Sequence, residues 1–327
     1  MDPLVDRFGR RHDTLRVSVT DRCNLRCRYC MPAEGVECRP RGELLSFEAI
    51  TRVVSVARSL GVDRVRLTGG EPLVRRGLPD LIRMLDETVD LADLSLTTNG
   101  MLLGRKAEAL AAAGLDRVNV SVDSLDPQNF EELTRHGDLG RVWSGIREAI
   151  DAGLEPLKVN VLVLRDFNVG EFAHWLELTE DAPLTVRFME LMPIGEANNQ
   201  ALEKAYVDLT EKRREWAERF DLEPTETEIG NGPARYWQAP GADGKVGFIT
   251  PRSNPYCDGC SRLRISSTGE IRPCLAFDRE VGLPEDLEQA PREAIGEALR
   301  AAVDQKPRGH AWQDSQKTDV AMSSIGG

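Results

Sequence analysis

Short apolar runs alternate with amphipathic segments along the first 195 residues, and this pattern predicts strands that are each followed by a helix or a loop. The strand-like runs cover residues 15–19, 65–68, 94–98, 118–122, 157–164 and 184–189. Between them apolar residues recur at helical spacing, as in residues 47–60, where Ser46 suits an N-cap and Gly61 a stop. Strands that alternate with helices predict parallel pairing with right-handed crossovers.

Polar and glycine-rich stretches follow these strands, and they favour a barrel as the fold. They lie at residues 69–72, 99–100 and 121–124, with the sequences Gly-Gly-Glu-Pro, Asn-Gly and Ser-Val-Asp-Ser. In a (β/α) barrel the active site forms at the carboxyl ends of the strands. A doubly wound open sheet is the alternative, but residues 69–72 lack the Gly-x-Gly-x-x-Gly pattern of dinucleotide binding. We therefore predict an α/β fold of the barrel type.

After Pro193 the pattern changes, which predicts a second region. Residues 201–220 are charge-rich with helical spacing, and Trp216 and Phe220 are candidate anchors. Short strand-like runs follow, and residues 263–272 are typical of a hairpin. A last helix is predicted at about 291–303. We divide the chain into residues 1–195 and 196–327.

A first cysteine triplet, Cys23, Cys27 and Cys30, lies directly after the first strand. Pro32 disfavours a helix at Met31, which predicts that these cysteines lie on a loop. Disulfides need an even number of cysteines, and a structural zinc site needs four ligands. Since a 4Fe–4S cluster is normally held by four thiolates, three would leave one iron open to a small molecule. A zinc site with a distant fourth ligand is the alternative.

A second triplet, Cys257, Cys260 and Cys274, lies in the C-terminal region. The two triplets could form two zinc sites, one site with four ligands from both, or two iron–sulfur clusters. The equal numbers favour two clusters, but spacing alone does not decide. Cys38 is predicted to be an ordinary thiol. Seven cysteines in tight groups suit metal ligation in a reducing compartment.

The net charge is −12, from 42 basic and 54 acidic residues. Such a field repels polyanions, so we expect neither nucleic-acid binding nor general membrane-surface binding. The sequence has no signal-peptide pattern and no run near the roughly 18 apolar residues of a membrane helix. We therefore expect a cytoplasmic protein, in which an anionic substrate would need a local cluster of arginines.

Arg262 and Arg264 lie two residues apart after the second triplet, so on a strand they point to the same side. Guanidinium groups suit phosphate oxygens, which favours a substrate role over solvated strand charges. Arg16, on the first strand, is equally consistent with a solvated charge. Glu71 and Asp123 follow strands and could form a general acid–base pair, although carboxylates in loops are mostly solvated or capping groups.

Both triplets, taken with their surroundings, carry a resemblance to a known family. The first triplet has the spacing Cys-x3-Cys-x2-Cys with Tyr29 before its last cysteine, and the next strand ends in Gly-Gly-Glu-Pro. These features resemble the radical S-adenosylmethionine superfamily. The second triplet, with Arg-Leu-Arg at 262–264 and Gly-Gly at 326–327, resembles more narrowly the GTP 3′,8-cyclase family of molybdenum-cofactor biosynthesis.

This resemblance implies a fold, cofactors and a reaction. The fold would be an incomplete (β/α) TIM-type barrel closed by a C-terminal region that carries a second iron–sulfur cluster. The cofactors would be two 4Fe–4S clusters and S-adenosylmethionine, which binds the open iron of the first cluster. A 5′-deoxyadenosyl radical would then remove the 3′ hydrogen of GTP, and the ribose radical would attack C8 of guanine, held by the second cluster.

The resemblance also implies roles for single positions. The six cysteines of the two triplets would be the metal ligands. The positions matching contacts to S-adenosylmethionine are Tyr29, Gly70, Glu71, Ser121 and Met192. The positions matching substrate contacts are Arg16, Arg66, Thr97, Lys158, Arg262, Leu263 and Arg264, with Arg187 as a weaker candidate. The residues expected to act in catalysis are Arg262, Arg264, Gly326 and Gly327.

The expected partners are GTP, an electron donor such as flavodoxin or ferredoxin, and cyclic pyranopterin monophosphate synthase, the next enzyme of the pathway. The chain could also form a homodimer. Two other functions are open. A radical S-adenosylmethionine enzyme that matures peptides would usually carry more C-terminal cysteines. A zinc-stabilised binding module would not need the alternation of strands and helices.

Overall fold

One sheet organises the protein, which we describe from a computed structural model that covers residues 2–180, 182, 184–225, 232–310, 312, 318 and 322–326. The strands are β1 (Thr14–Ser18), β2 (Arg64–Thr68), β3 (Asp93–Thr98), β4 (Arg117–Ser121), β5 (Lys158–Leu162), β6 (Thr185–Met189), β7 (Glu223–Thr225), β8 (Arg235–Gln238), β9 (Lys245–Ile249), β10 (Arg262–Ile265), β11 (Glu270–Arg272) and β12 (Val281–Gly282). The strands that the apolar runs predict are confirmed, with small shifts of their ends.

The helices pack against this sheet. They are α1 (Phe47–Ser59), α2 (Leu78–Thr88), α3 (Ala107–Ala112), α4 (Pro127–Thr134), α5 (Leu139–Asp151), α6 (Phe172–Glu180), α7 (Gln200–Lys204), α8 (Leu209–Arg219), α9 (Arg292–Asp304) and α10 (Met322–Ile325). In α1 the predicted N-cap is confirmed, because the Ser46 hydroxyl accepts a hydrogen bond from the Ala49 amide at 3.0 Å. Gly61 follows the helix with φ +90°, a conformation that suits glycine.

Two helical stretches differ from the prediction. The apolar pattern does not predict α4, since Phe130 and Leu133 alone give it a buried apolar side. The pattern also predicts one helix over residues 201–220, where the structure has α7 and α8. A new helix begins at Leu209 because the Asp208 carboxylate accepts a hydrogen bond from the Thr210 amide at 2.8 Å.

The strand order shows how the two regions combine. The order is β12-β11-β10-β1-β2-β3-β4-β5-β6-β9-β8-β7. β10 pairs parallel to β1, and β9 pairs parallel to β6, so the C-terminal region extends the central strands on both sides. The predicted α/β fold of the barrel type is confirmed. Within the described residues, however, hydrogen bonds do not close the barrel, since β12 and β7 are the ends of the sheet.

The two faces of the sheet differ in polarity. Alternate residues of the strands, such as Leu15, Val65 and Val159, belong to one hydrophobic core with the helices. The residues between them face a cavity, and many are charged, as are Arg16 and Arg66. A filled TIM barrel has mostly branched apolar side chains inside. This sheet instead has a polar inner face, which borders a cavity where several loops meet. No helix in the described part of the chain is long and apolar enough to cross a membrane.

Candidate active site

The first cysteine triplet lies on the loop between β1 and α1, as predicted. The loop turns tightly, because the amides of Cys30 and Met31 both donate to the Cys27 carbonyl, at 2.9 and 3.1 Å. The thiol of Cys23 accepts hydrogen bonds from the Leu25 amide at 3.4 Å and the Asn99 side-chain amide at 3.8 Å. The backbone of the cysteine loop is therefore fixed, and all three thiols border the cavity.

The glycines after β2 hold this loop in place through close backbone contact. The amide of Gly70 donates to the Thr20 carbonyl at 2.9 Å. A Cβ atom on Gly69 would lie 2.4 Å from the Thr20 carbonyl oxygen, and one on Gly70 would lie 2.4 Å from the Arg22 carbonyl oxygen. Gly69 also has φ +146°. A side chain at either position would push the start of the cysteine loop away from the sheet.

Burial dominates the electrostatics of the first triplet. Burial raises the pKa of all three thiols, that of Cys30 to about 12. The Asp123 carboxylate lies close and adds to the increase at Cys27 and Cys30. This carboxylate accepts a hydrogen bond from the Tyr29 hydroxyl at 2.5 Å. Thiols in such a place need a bound cation to ionise, which is what an iron cluster provides.

The second triplet lies around β10. Cys257 and Cys260 precede this strand, and Cys274 follows the hairpin that begins with it. Burial raises the pKa of the Cys260 thiol, but the charges of Arg262 and Lys306 outweigh burial and lower the pKa to about 6. The Arg262 guanidinium lies 3.8 Å from the Cys260 sulfur. The second triplet thus lies among cations, which favour thiolate ligands.

The donor set of each triplet fits an iron–sulfur cluster. All seven cysteines, each within the described residues, are free thiols. Among the described His, Cys, Asp and Glu side chains, no group of three is placed to hold a single metal ion. A cubic cluster has a different requirement, since its thiolates bind separate irons and do not converge on one ion. Three free thiols that border a cavity match that requirement.

One cavity joins the two triplets. It contains about 2170 Å³ of space, including its open mouth, and all six cysteines of the triplets line it. The same lining includes most other predicted site residues, namely Arg16, Tyr29, Arg66, Gly70, Thr97, Ser121, Arg187, Met192, Arg262 and Arg264. The structure therefore brings together cysteines that are up to 251 positions apart, from Cys23 to Cys274. Both triplets can act on molecules bound in the same space.

Cations crowd the cavity wall between the triplets. Burial and the charges of Arg264 and Arg66 lower the pKa of Arg16 well below its usual value. Burial and the charge of Arg187 lower the pKa of Arg66 to about 9, and burial and the charge of Arg262 lower that of Arg264 to about 10. Buried like charges repel each other, so an anion with several charges would stabilise the wall.

Glu71 has a different position from the other residues predicted to contact S-adenosylmethionine. It is fully buried and is not among the described residues that line the cavity. Its carboxylate accepts hydrogen bonds from the Leu73 amide at 2.9 Å, the Thr98 hydroxyl at 2.7 Å and the Asn99 amide at 2.7 Å. Burial raises its pKa to about 7 despite these donors. Glu71 therefore ties the glycine loop, residues 69–72 after β2, to the end of β3.

Leu263 and Lys158 differ in position from the other residues predicted to contact the substrate. Leu263 alternates with the two arginines of β10, and its side chain packs in the hydrophobic core. A substrate contact at this position stays a prediction. Lys158 begins β5 and is buried. Burial and the charges of Arg117 and Arg187 lower its pKa to about 6. Neither residue is among the described lining of the cavity.

The C-terminal segment reaches the glycine loop. The Gly326 carbonyl accepts a hydrogen bond from the Arg264 guanidinium at 2.6 Å. A Cβ atom on Gly326 would lie 2.3 Å from the Thr68 Cγ2 atom and 2.8 Å from the Gly69 amide nitrogen. With φ +67° in addition, this position requires glycine. Gly327 lies outside the described residues.

The sequence pattern misses several residues of the cavity. Lys306, buried beside the second triplet, is the clearest case, because a lone Lys-Pro after a helix has no motif that would reveal it. Asn160 faces the cavity from β5 and accepts a hydrogen bond from the Arg187 guanidinium at 2.9 Å. The alternation of β5 places Asn160 on the cavity side, and this signal could have identified it.

Comparison with protein-family models assigns the two regions separately. Residues 17–179 match the radical SAM superfamily model. Residues 184–312 match the model described as Molybdenum Cofactor Synthesis C.

Curated relatives match the chain over its length. A GTP 3′,8-cyclase from Alkaliphilus oremlandii (strain OhILAs) is 44% identical over 327 residues, which is 99% of this chain and 100% of the relative. A GTP 3′,8-cyclase from Desulforamulus reducens is 42% identical over 326 residues, again 99% of this chain and 100% of the relative.

Solved structures show the fold. The crystal structure of Streptococcus suis SuiB bound to S-adenosylmethionine aligns with a TM-score of 0.64 at 15% identity, covering 97% of this chain and 75% of that one. The structure of native anSMEcpe with bound AdoMet aligns with a TM-score of 0.59 at 16% identity, covering 89% and 82%. At these identities the likeness concerns the fold alone.

Proposed function

The chain belongs to the GTP 3′,8-cyclase family of the radical SAM superfamily, and we propose on this premise how its residues carry out the cyclisation of GTP. The enzyme is a lyase that converts GTP to (8S)-3′,8-cyclo-7,8-dihydroguanosine 5′-triphosphate, an early step of molybdenum-cofactor biosynthesis. One observation carries the proposal for the site. Two cysteine triplets border a single cavity, and the wall between them is rich in arginine.

The cofactors are a 4Fe–4S cluster and S-adenosylmethionine, which together supply the one-electron chemistry that removes a hydrogen from the ribose of GTP. We assign this cluster to Cys23, Cys27 and Cys30. The residues proposed to surround S-adenosylmethionine are Tyr29, Gly70, Ser121 and Met192. Glu71 positions the glycine loop from behind, through its three hydrogen bonds. The Asp123 carboxylate lines the cavity beside Cys27 and Cys30, and this suits a ligand with a sulfonium and an amino group.

We propose that Cys257, Cys260 and Cys274 would hold a second 4Fe–4S cluster, which would supply an iron site for the guanine. The arginines next to it would hold the triphosphate. Arg16, Arg66, Arg262 and Arg264 border the cavity directly, and Thr97 lies beside them. Lys158, on the same side of β5 as Asn160, would add positive charge next to the lining, and Leu263 would orient its two neighbours by packing in the core. Four arginines and a lysine are a suitable complement to a triphosphate.

Arg264 links substrate binding to the C-terminal segment. Its guanidinium donates to the Gly326 carbonyl, and Gly326 packs on the glycine loop of the first triplet. We therefore propose that Arg262 and Arg264, with Gly326 and Gly327, align the ribose between the two clusters. We keep the division of the chain into residues 1–195 and 196–327 as a proposal. In it the second region supplies the part of the cavity that would bind GTP.

The reaction defines the other partners that we propose. The conversion consumes two electrons and one proton for each GTP and each S-adenosylmethionine, so it needs an electron donor such as flavodoxin or ferredoxin. Cyclic pyranopterin monophosphate synthase would consume the product. A homodimer is a further proposal. A reducing cytoplasm would suit the free thiols.

Product analysis tests the proposed function. Reduced, reconstituted enzyme is incubated anaerobically with S-adenosylmethionine and GTP, and the nucleotides are separated and analysed by mass spectrometry. We expect an isomer of GTP together with one 5′-deoxyadenosine for each cyclised nucleotide. Formation of 5′-deoxyadenosine without any GTP isomer, in the presence of the intact second triplet, would contradict the proposal.

A further inference from the structure

The N-terminal hairpin brings a buried arginine to the second triplet. Val5 and Arg11 pair in an antiparallel bridge, and the amide of Gly9 donates to the Asp6 carbonyl at 2.9 Å to close the turn. Gly9 has φ +80°, which the turn requires. Arg10 follows this turn and is only 8% exposed. A buried arginine needs partners for its five N–H donors.

The partners of Arg10 are mostly backbone carbonyls, one at Cys257 and two in the segment after α9. Its guanidinium donates to the Cys257 carbonyl at 2.8 Å, to the Arg308 carbonyl at 2.9 Å and to the Pro307 carbonyl at 2.7 Å. Its Nε atom donates to the Asp6 carboxylate at 2.6 Å. Four bonds from one planar group fix the relative position of three chain segments. One of these segments begins with a cysteine of the triplet.

Asp6 orients the guanidinium. One carboxylate oxygen accepts hydrogen bonds from the amides of Phe8 and Arg10, at 2.9 and 3.0 Å. The other carboxylate oxygen accepts from the Arg10 Nε atom and lies 3.2 Å from the His12 Nε2 atom. Asp6 and His12 are both buried. The planar fork of Arg10 is thereby held in one orientation before it meets the carbonyls.

Lys306 binds backbone carbonyls on both stretches of chain that carry the second triplet. Its ammonium donates to the Arg262 carbonyl at 2.7 Å and to the Pro273 carbonyl at 2.6 Å. Arg262 lies two residues after Cys260, and Pro273 directly precedes Cys274. Lys306 is 2% exposed and borders the cavity. Its backbone continues into residues 307 and 308, whose carbonyls Arg10 holds.

We propose that Arg10 and Lys306 are positioning residues for the second cysteine triplet, which they hold as one unit through backbone carbonyls next to or within it. The three cysteines lie on two separate stretches of chain, which the antiparallel pairing of β10 with β11 brings side by side. The paired residues of these strands do not include Cys257, Cys260 or Cys274, so the cysteine loops themselves need further contacts. The two cations join these loops to each other and to the N-terminal hairpin. This inference deepens the proposed function, since it rests on the second triplet as the site of the second cluster.

A thiol-alkylation experiment on the metal-free, reduced full-length chain tests the proposal. Iodoacetamide labelling is followed at each cysteine by mass spectrometry over a range of pH in the wild type, Arg10→Gln and Lys306→Gln. Each rate is compared per thiolate, because loss of the Lys306 ammonium also raises the pKa of Cys260 and Cys274. We expect labelling of the second triplet to speed up by about fivefold or more while Cys23, Cys27 and Cys30 change little, because a local opening would be confined to this region. Arg10→Gln should affect Cys257 most, and Lys306→Gln should affect Cys274 most.

Two matched variants control for charge and for general destabilisation. Arg7→Gln removes an exposed arginine from the same hairpin and should leave every labelling rate unchanged. Arg10→Lys keeps the charge but reaches fewer carbonyls, and it should give a rate between those of the wild type and Arg10→Gln. Unchanged labelling in Arg10→Gln, or an equal increase at all six triplet cysteines, would overturn the proposal.

Iron content then separates the positioning role from the proposed function. Reconstituted wild type should hold about eight irons and Arg10→Gln about four, with the first cluster retained, since each cubic cluster has four irons. Retention of about eight irons in Arg10→Gln would overturn the positioning role. A wild type with about four irons would refute the second cluster, whereas the labelling result would still decide whether the two cations hold the triplet.

Discussion

The two cysteine triplets have the same number of thiols and border the same cavity, but their surroundings have opposite charge. Near the first triplet, burial and Asp123 raise the pKa of the thiols. Near the second, Arg262 and Lys306 lower the pKa of Cys260 to about 6 against the effect of burial. The number of ligands is therefore not what distinguishes the triplets. The charge around each triplet matches the molecule that we assign to it, a sulfonium on one side and a triphosphate on the other.

The triplets are also held in comparable ways. Arg135, at the end of α4, donates to the Arg26 carbonyl at 2.7 Å and to the Met31 carbonyl at 3.1 Å, on either side of Cys27 and Cys30. Arg10 donates to the Cys257 carbonyl in the second triplet. In both loops an arginine distant in sequence fixes the backbone, while the thiols stay available for iron.

The largest expected effect comes from removing one thiol from each triplet in turn. Cys27→Ala should abolish both cleavage of S-adenosylmethionine and cyclisation of GTP, because the first cluster loses a ligand. Cys260→Ala should abolish cyclisation but keep uncoupled formation of 5′-deoxyadenosine. Chromatography of both products checks this, and the comparison fails if Cys260→Ala loses the two activities in parallel.

The next largest effect on cyclisation is expected where Gly326 packs on the glycine loop. In Gly326→Ala the new Cβ atom would overlap Thr68 at 2.3 Å, so the C-terminal segment should shift and cyclisation should fall by about tenfold or more. Iron content and cleavage of S-adenosylmethionine should remain.

Gly153→Ala is the matched control for this variant. Gly153 has a similar φ of +79°, but nothing lies within 4 Å of its Cβ position. It therefore imposes comparable backbone strain without the overlap. Equal activity of the two variants would show that the packing of Gly326 on the glycine loop is not needed.

The arginines of β10 should affect the use of GTP and not the cleavage of S-adenosylmethionine. A charged hydrogen bond contributes about 1.5–3 kcal/mol, so Arg264→Ala should raise the KM for GTP by about 10- to 100-fold. Cleavage of S-adenosylmethionine should stay near the wild-type rate. Arg83→Ala, which removes an exposed arginine paired with Asp80, serves as the control. Equal losses of both activities in Arg264→Ala would argue against a substrate role.

The smallest expected effect is a proton taken up when GTP binds. Burial and the charges of Arg117 and Arg187 lower the pKa of Lys158 to about 6, so its amine is mostly neutral at pH 8 in the free protein. A triphosphate nearby favours the ammonium form and raises this pKa. Binding should therefore take up about one proton at pH 8, and affinity should fall as pH rises, by up to about tenfold per unit.

Titration calorimetry in buffers of different ionisation enthalpy counts this proton directly. Lys158→Met should remove the uptake, because the titrating group is gone. Affinity that is independent of pH between 7 and 9 would contradict the assignment of Lys158 to the substrate side.

Much of the fold could be predicted from the sequence, because its signals are local. The run Leu15–Val19 and its counterparts alternate within a few residues, and Ser46 and Gly61 mark a helix by their own chemistry. The pairing of β10 with β1 and of β9 with β6 could not be predicted in this way. These pairs join residues far apart in sequence, and no local pattern specifies such a register.

Residues of the site also differ in whether a local sequence pattern reveals them. Both triplets and the alternation of Arg262 and Arg264 are visible in the sequence, and the structure places them on one cavity. Whether a carboxylate after a glycine pair faces a ligand or the backbone is not visible, and Glu71 faces the backbone. Arg10 and Lys306 act on carbonyls, which every residue has, so no sequence motif indicates their partners.

We propose that a radical made at the first triplet acts on a ribose held at the second. GTP deuterated at the 3′ position tests it most directly, when the enzyme is incubated anaerobically with S-adenosylmethionine and a reductant. We expect 5′-deoxyadenosine that carries one deuterium, together with a cyclised nucleotide that has lost it. 5′-Deoxyadenosine without deuterium, formed alongside unchanged GTP, would contradict transfer of the 3′ hydrogen to the radical.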